Sequence, residues 1–124
     1  MIYLDTHIVA WLYAGLSDRL SESARALLQN QEPYISPMVC LELQYLFEIG
    51  RVKHGSDQVV QALAGQLGLR VCDRPFAEVV HIAQRQVWTR DPFDRIIVAQ
   101  AALGPDMLIT KDETIRANYA GGKW

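Results

Sequence analysis

Residues 90–101 read RDPFDRIIVAQA, and the reading of this stretch decides the fold. Asp91 is a good N-cap, Pro92 suits the first helical turn and Asp94 falls at the third helical position. A helix therefore starts here with two carboxylates at its positive end. Ile96, Ile97, Val98, Ala99, Ala101 and Ala102 follow, interrupted only by Gln100. A helix apolar on nearly every side is expected to be mostly buried. Taken alone, Asp91 and Asp94 are explained well enough as a capping pair that satisfies the free amides of the first turn. Asp5, Glu42 and Asp112 change that balance. Each sits where a strand ends or a helix begins, and in an open α/β sheet such positions converge on one crevice.

Working outward, residues 2–4 form a short apolar run that stops at an acid, the pattern of a central buried strand with Asp5 at its carboxyl end. Thr6 is expected to cap the next helix, packed through Val9, Ala10, Trp11 and Leu12. His7 has no second histidine spaced to help it and reads as a helix-start residue bonded to backbone. Apolar residues then recur at helical spacing over about 17–30, residues 34–35 form a second strand, and Ser36-Pro37 opens a helix to about residue 49. On that helix Glu42 lies among Val39, Leu41, Leu43, Leu46, Phe47 and Ile49. A partly buried acid in such company wants a cation or a proton.

Ser56-Asp57 is expected to cap a helix to about residue 66, followed by a strand over 69–72 and a helix from Pro75 through Val87. The central helix over about 90–103 comes next, then a strand over 107–109, a short helix over about 114–119, and an edge strand or a frayed end at 123–124. Strands alternating with helices predict a mainly parallel sheet of four to five strands, covered on both faces in a three-layer α/β/α sandwich.

With 124 residues, half of them apolar and a net charge of −2, the chain is expected to be one soluble domain with a real core and not a broadly basic nucleic-acid binder. Only Cys40 and Cys72 are present, without zinc-ligand spacing, so a reducing compartment with two free thiols is expected. The opening MIYLDTHIVAWLYAG has no basic leader region, and no apolar run approaches the ~20 residues that span a bilayer. A cytoplasmic protein with no membrane association is the resulting expectation.

Asp5, Glu42, Asp94 and Asp112, aimed at one crevice, repel one another. A hard divalent cation bound through oxygen relieves that repulsion, and Mg²⁺ or Mn²⁺ suits the set better than zinc because neither Cys nor His joins it. The runs YLDTHIVAW, SPMVCLELQYL, RDPFDRIIVAQA and LITKDETI together resemble the PIN-domain ribonucleases, specifically the VapC-type toxins of toxin–antitoxin pairs. The resemblance covers essentially the whole chain. It implies a metal-dependent endoribonuclease whose acidic quartet is Asp5, Glu42, Asp94 and Asp112, with Asp5, Asp94 and Asp112 on the metal and Glu42 orienting water or holding a second ion. Asp91, Thr110 and Thr6 stand behind them. The resemblance also implies a homodimer and a small antitoxin whose tail covers the acidic site.

Arg95, Arg51, Lys53, Lys111 and Arg116 are candidate RNA phosphate contacts, although isolated surface bases are more often simply solvated. Many relatives with the RDPFDR run have His just before it, where this chain has Thr89. Two other readings are weighed beside the ribonuclease. A Mg²⁺-dependent phosphohydrolase of small phosphate esters would want a second acid two residues after Asp5, where His7 stands. A catalytically idle module that only binds a partner would have no reason to keep mutually repelling acids.

Overall fold

In a computed structural model that describes residues 1–124, five strands are separated along the chain by one or two of seven α-helices. The order is β1 (Ile2–Leu4), α1 (Thr6–Tyr13), a 3₁₀ turn (Ser17–Arg19), α2 (Glu22–Asn30), β2 (Pro33–Ile35), α3 (Pro37–Glu48) and α4 (Ser56–Leu67). It continues with β3 (Arg70–Val71), α5 (Phe76–Ala83), α6 (Pro92–Ala102), β4 (Met107–Ile109), α7 (Glu113–Asn118) and β5 (Gly122–Lys123). All strand pairs are parallel, in the order β3-β2-β1-β4-β5. β1 is the middle strand, with Ile2 opposite both Pro33 and Met107. Its three residues are all buried, which is why the opening run carries no polar alternation.

The chain steps from β1 to β2 to β3, then crosses back past β1 to β4 and β5. The sheet's switch point therefore lies between β1 and β4, the place where open parallel sheets form a crevice beyond their carboxyl ends. Helices cover the sheet as an α/β sandwich, and none is long and apolar enough to cross a membrane.

The apolar character of α6 on every side has a direct cause. Ile97, Val98 and Ala101 join the main core around β1 and β4, whereas Ile96 and Ala99 face a second cluster with Val79 and Ala83 of α5. Gln100, the one polar residue in that run, is 1% exposed and fully engaged. The Ser36 hydroxyl donates to its Oε1 at 3.0 Å, and its Nε2 donates to Cys72 Sγ at 3.2 Å. Tyr3 also donates to Cys72 Sγ, at 3.0 Å. Arg74 closes the network by donating to the Gln100 carbonyl at 2.8 Å and pairing with Asp106 at 2.6 Å. The same guanidinium lies 5.3 Å from the centre of the Tyr3 ring.

Several local expectations are corrected. Asp5, not Thr6, is the N-cap of α1, its side chain accepting the Thr6 amide. The expected 17–30 helix is two pieces: Leu20 is extended and 3% exposed, and Ser21 caps α2 by accepting the Ala24 amide at 3.0 Å. A capping serine in mid-segment and a buried leucine between the two turns override the helical spacing. Ser56 is the first residue of α4, whose N-cap is Gly55 without a side-chain bond. Gly68 ends α4 at φ 71°, a left-handed conformation suited to glycine. α5 stops at Ala83, well before Val87, which is 65% exposed. On α3 and its C-cap, Leu41, Tyr45, Phe47 and Ile49 are exposed, so the apolar company of Glu42 is only partly a core.

Candidate active site

Beyond the carboxyl ends of β1 and β4 lies a crevice of about 380 Å³, lined by Asp5, His7, Ile8, Trp11, Glu42, Asp91, Asp94, Lys111 and Asp112. All four acids of the expected quartet are on its wall, with Asp91 as a fifth. Lys111 is the one lysine or arginine among the lining residues.

Each acid is delivered by a local rule. Asp5 is still in the sheet through its amide, which donates to the Ile109 carbonyl at 3.0 Å. Its side chain caps α1, with Oδ1 accepting the Thr6 amide at 2.8 Å and Oδ2 accepting the Thr110 hydroxyl at 2.7 Å. Asp112 caps α7 in the same way, its Oδ1 accepting the amides of Thr114 at 2.8 Å and Ile115 at 3.0 Å. Thr110 connects the two acids, because its hydroxyl oxygen also accepts the Asp112 amide at 3.1 Å. Asp91 caps α6 through the Phe93 and Asp94 amides. Proline at the start of α6 fixes the direction of that first turn and so places Asp94.

Glu42 comes from α3, held by the hydroxyl of the fully buried Thr6. Helices α3 and α6 meet nearby, where the rings of Tyr45 and Phe93 are 6.0 Å apart. Thr6 therefore serves the site by binding Glu42 and not, as expected, by capping its own helix.

The electrostatics follow from this crowding. Asp94 makes no side-chain hydrogen bond and is pushed up to about 7, first by burial and then by the charges of Asp91, Asp5, Asp112 and Glu42. Asp5 is 8% exposed, and burial pushes its carboxyl up against the opposing bonds from Thr110 and Thr6. Glu42 is raised by burial as well, the Thr6 bond opposing and the Asp5 and Asp91 charges adding to the rise. The site is a set of hard oxygen donors whose charges are costly together. The acids surround the crevice without converging on one point, and no three of them already stand as a ligand cage.

The model of the PIN domain family matches residues 2–120. The chain belongs to the PIN domain family. PIN domains are nucleases that generally use divalent metal ions, which fits a donor set made only of carboxylate oxygen. A search of curated proteins matched none. Among solved structures, a chain of VapBC2 from Rickettsia felis, crystallised bound to a DNA fragment from their promoter, is similar in fold with a TM-score of 0.65. It is 18% identical, over 99% of this chain and 98% of that one.

Within this PIN domain the candidate basic contacts separate clearly. Lys111 lines the acidic crevice. Arg51 and Lys53 line a neighbouring groove that shares His7 and Trp11 with it. Arg95 is instead a strut, its Nε donating to the Thr89 carbonyl at 2.8 Å, and Arg116 donates to the Lys111 carbonyl at 3.3 Å. Thr89 has a structural task of its own, since its hydroxyl accepts the Asp91 amide at 3.2 Å. His7 corrects the sequence reading: its side chain makes no hydrogen bond to backbone, is exposed, and lines the crevice. Trp11, treated above only as helix packing, also lines it. Its position one turn after His7 on α1 is the signal that could have revealed it.

Proposed function

We propose that this PIN domain is a metal-dependent endoribonuclease toxin of the VapC kind, hydrolysing RNA phosphodiester bonds by activated water. The observation that carries this reading is the gathering of Asp5, Glu42, Asp91, Asp94 and Asp112 on one crevice wall with Lys111 as its one lysine or arginine. Asp5, Asp94 and Asp112 would hold Mg²⁺ or Mn²⁺, and Glu42 would orient the attacking water or hold a second ion. An ion bound there supplies polarisation of the phosphodiester and a lowered pKa for a bound water.

The chain's own residues do the rest. Thr110 aligns the Asp5 carboxylate, and Thr6 fixes Glu42 so that its raised basicity faces the crevice. Asp91 stiffens the turn that carries Asp94. A group that accepts a proton from water works best when its pKa lies near the working pH, and burial moves Glu42 and Asp94 in that direction.

Two partners accompany this reading. One is a small antitoxin that covers the acidic crevice, as a member of a VapBC pair would have. The other is a second copy of this chain. The exposed apolar side chains of Leu41, Tyr45, Phe47 and Ile49 support the dimer, since clustered exposed apolar groups mark protein contacts. A cytoplasmic location goes with RNA as substrate.

The deciding experiment incubates the purified chain with a mixed RNA pool in Mg²⁺, in Mn²⁺ and in EDTA. Cleavage in either metal and none in EDTA is expected. Cleavage undiminished by EDTA would overturn the mechanism, as would turnover of small phosphate monoesters with RNA left intact.

A further inference from the structure

The crevice is not lined by acids alone: His7 and Trp11 of α1, and Lys111 just after β4, share its lining with them. The Lys111 Nζ lies 5.9 Å from the centre of the Trp11 ring and 5.9 Å from that of Trp124. The two indoles are 6.4 Å apart and tilted by 59°, and the His7 ring is 6.4 Å from Trp11 at 55°. Arg19 adds a second cation, 5.9 Å from the centre of the Trp11 ring.

Core packing alone does not account for this arrangement. Both indoles touch the core yet remain partly exposed. Neither aromatic neighbour of Trp11 lies parallel to it, so no ring is stacked face to face on its π-surface. The third tryptophan, Trp88, gives its indole N–H to Gln86 at 2.8 Å, whereas those of Trp11 and Trp124 have no protein acceptor and are not buried. An indole and a lysine in the same crevice as the acids, with a second indole and Arg19 just behind them, have the composition of a single-strand nucleic-acid site. Unstacked bases lie on aromatic rings there while bases nearby meet the phosphates.

We propose that Trp11, backed by Trp124 and Lys111, is a stacking platform that holds an unpaired nucleobase next to the phosphate to be cut. This rests on the nuclease reading of the acidic crevice and adds to it the way the substrate is positioned. A base already stacked inside a duplex cannot lie on Trp11, so the platform selects unpaired segments. Lys111, close to both indoles and lining the same crevice as the acids, pairs with the phosphate of the stacked nucleotide and offsets the repulsion from Asp112 and Asp94. Trp11 is a positioning residue and Lys111 a phosphate contact.

The test measures binding separately from cleavage. In the full chain carrying Asp94→Asn with Mg²⁺ present, a fluorescein-labelled ten-nucleotide single-stranded RNA and a hairpin duplex of the same composition are titrated by anisotropy. Trp11→Ala should weaken the single strand roughly 5- to 100-fold, the range of one lost base stack, and leave the duplex unchanged. Trp11→Phe, which keeps a ring, should recover most of the loss, and Lys111→Ala should weaken the single strand and reduce its salt dependence. Should Trp11→Ala fail to fold, the Trp88→Phe chain keeps the question open to measurement. Its remaining indoles should be quenched by the single strand and not by the duplex.

Equal binding of single strand and duplex, or single-strand affinity untouched by Trp11→Ala, overturns the platform even if the wild-type chain cuts RNA. Selective single-strand binding that depends on Trp11, in a chain that cuts no RNA under any metal, would keep the platform and sink the nuclease reading.

Discussion

Two polar clusters lie inside this small fold, and they differ in how their charges are balanced. Around Gln100, every polar group has a partner: Ser36, Cys72, Tyr3 and Arg74 satisfy one another, and the one acid, Asp106, meets the one base at 2.6 Å. Around Asp94, five acids face one lysine, and Asp94 itself has no hydrogen-bond partner for its side chain. The first cluster is what folding needs when it buries polar atoms, because a satisfied network rigidifies the core. The second works against folding. A domain that keeps unmatched charge at the switch point of its sheet keeps it for a ligand of opposite sign.

The sharpest break of this comparison is in activity. On the nuclease reading, Asp94→Ala and Asp5→Ala are each expected to reduce RNA cleavage by three orders of magnitude or more, since each removes a carboxylate that would hold the metal ion. Far-UV circular dichroism and a cooperative melt should show both chains folded. Asp5→Ala also loses a helix cap, at about 1 kcal/mol, so Asp94→Ala is the cleaner reading. Wild-type rates in the Asp94→Ala chain would remove the acidic cluster from the chemistry.

The balanced cluster should respond in the opposite currency, stability. Gln100→Ala leaves Ser36 and Cys72 each one hydrogen-bond partner short and opens a cavity beside the central strand, with an expected loss of about 3 kcal/mol by denaturant titration. Residual activity per folded molecule should stay near that of the wild type. A loss under 0.5 kcal/mol would mean that the network is not what holds α6 against the sheet.

How much of this was legible in the sequence follows the same division. The alternation of strands and helices, the central place of the opening strand and the burial of α6 were readable, because periodicity and capping chemistry are local. The acids were readable as a set because each terminates a strand or starts a helix. What required three dimensions was partnership. Nothing at position 6 shows that the hydroxyl reaches Glu42, 36 residues away, or that Gln100 bridges Ser36 and Cys72. His7 and Trp11 were hidden for another reason. Helical spacing reports that two side chains share a face, and it is silent on whether that face meets core or crevice. The exposed leucine and aromatic row of α3 misled for the same reason.

A third measurement probes the acids without any substrate. If Mg²⁺ binds only the folded chain, a concentration one hundred times its dissociation constant should raise stability by about 2.7 kcal/mol. The increment should nearly vanish in Asp5→Asn and persist in Gln100→Ala, which separates the two clusters in a single melting experiment. Identical melting temperatures in EDTA and in excess Mg²⁺, from pH 6 to 8, would count against a metal at this site.

The smallest expected effect is the most specific to the unbalanced cluster. In EDTA, Asp94 has a folded pKa of about 7 against an ordinary value of 3.8. Between those two pH values the folded chain binds the proton and the unfolded chain has released it, so stability falls as pH rises across this window. Above about pH 7 both states are ionised and the penalty is constant. Burial of Asp5 and Glu42 adds in the same direction. Asp94→Asn removes the charge, so in EDTA at pH 7.5 it should stabilise the chain by on the order of 1 kcal/mol and flatten the pH dependence. Saturating Mg²⁺ should flatten the wild-type curve as well, because the cation supplies the charge that the proton supplies at low pH. Thermal melts of both chains between pH 4 and 8, with and without the metal, measure this. A wild-type chain in EDTA that gains stability from pH 5 to 7 would show that the five acids do not crowd one another enough to need an ion.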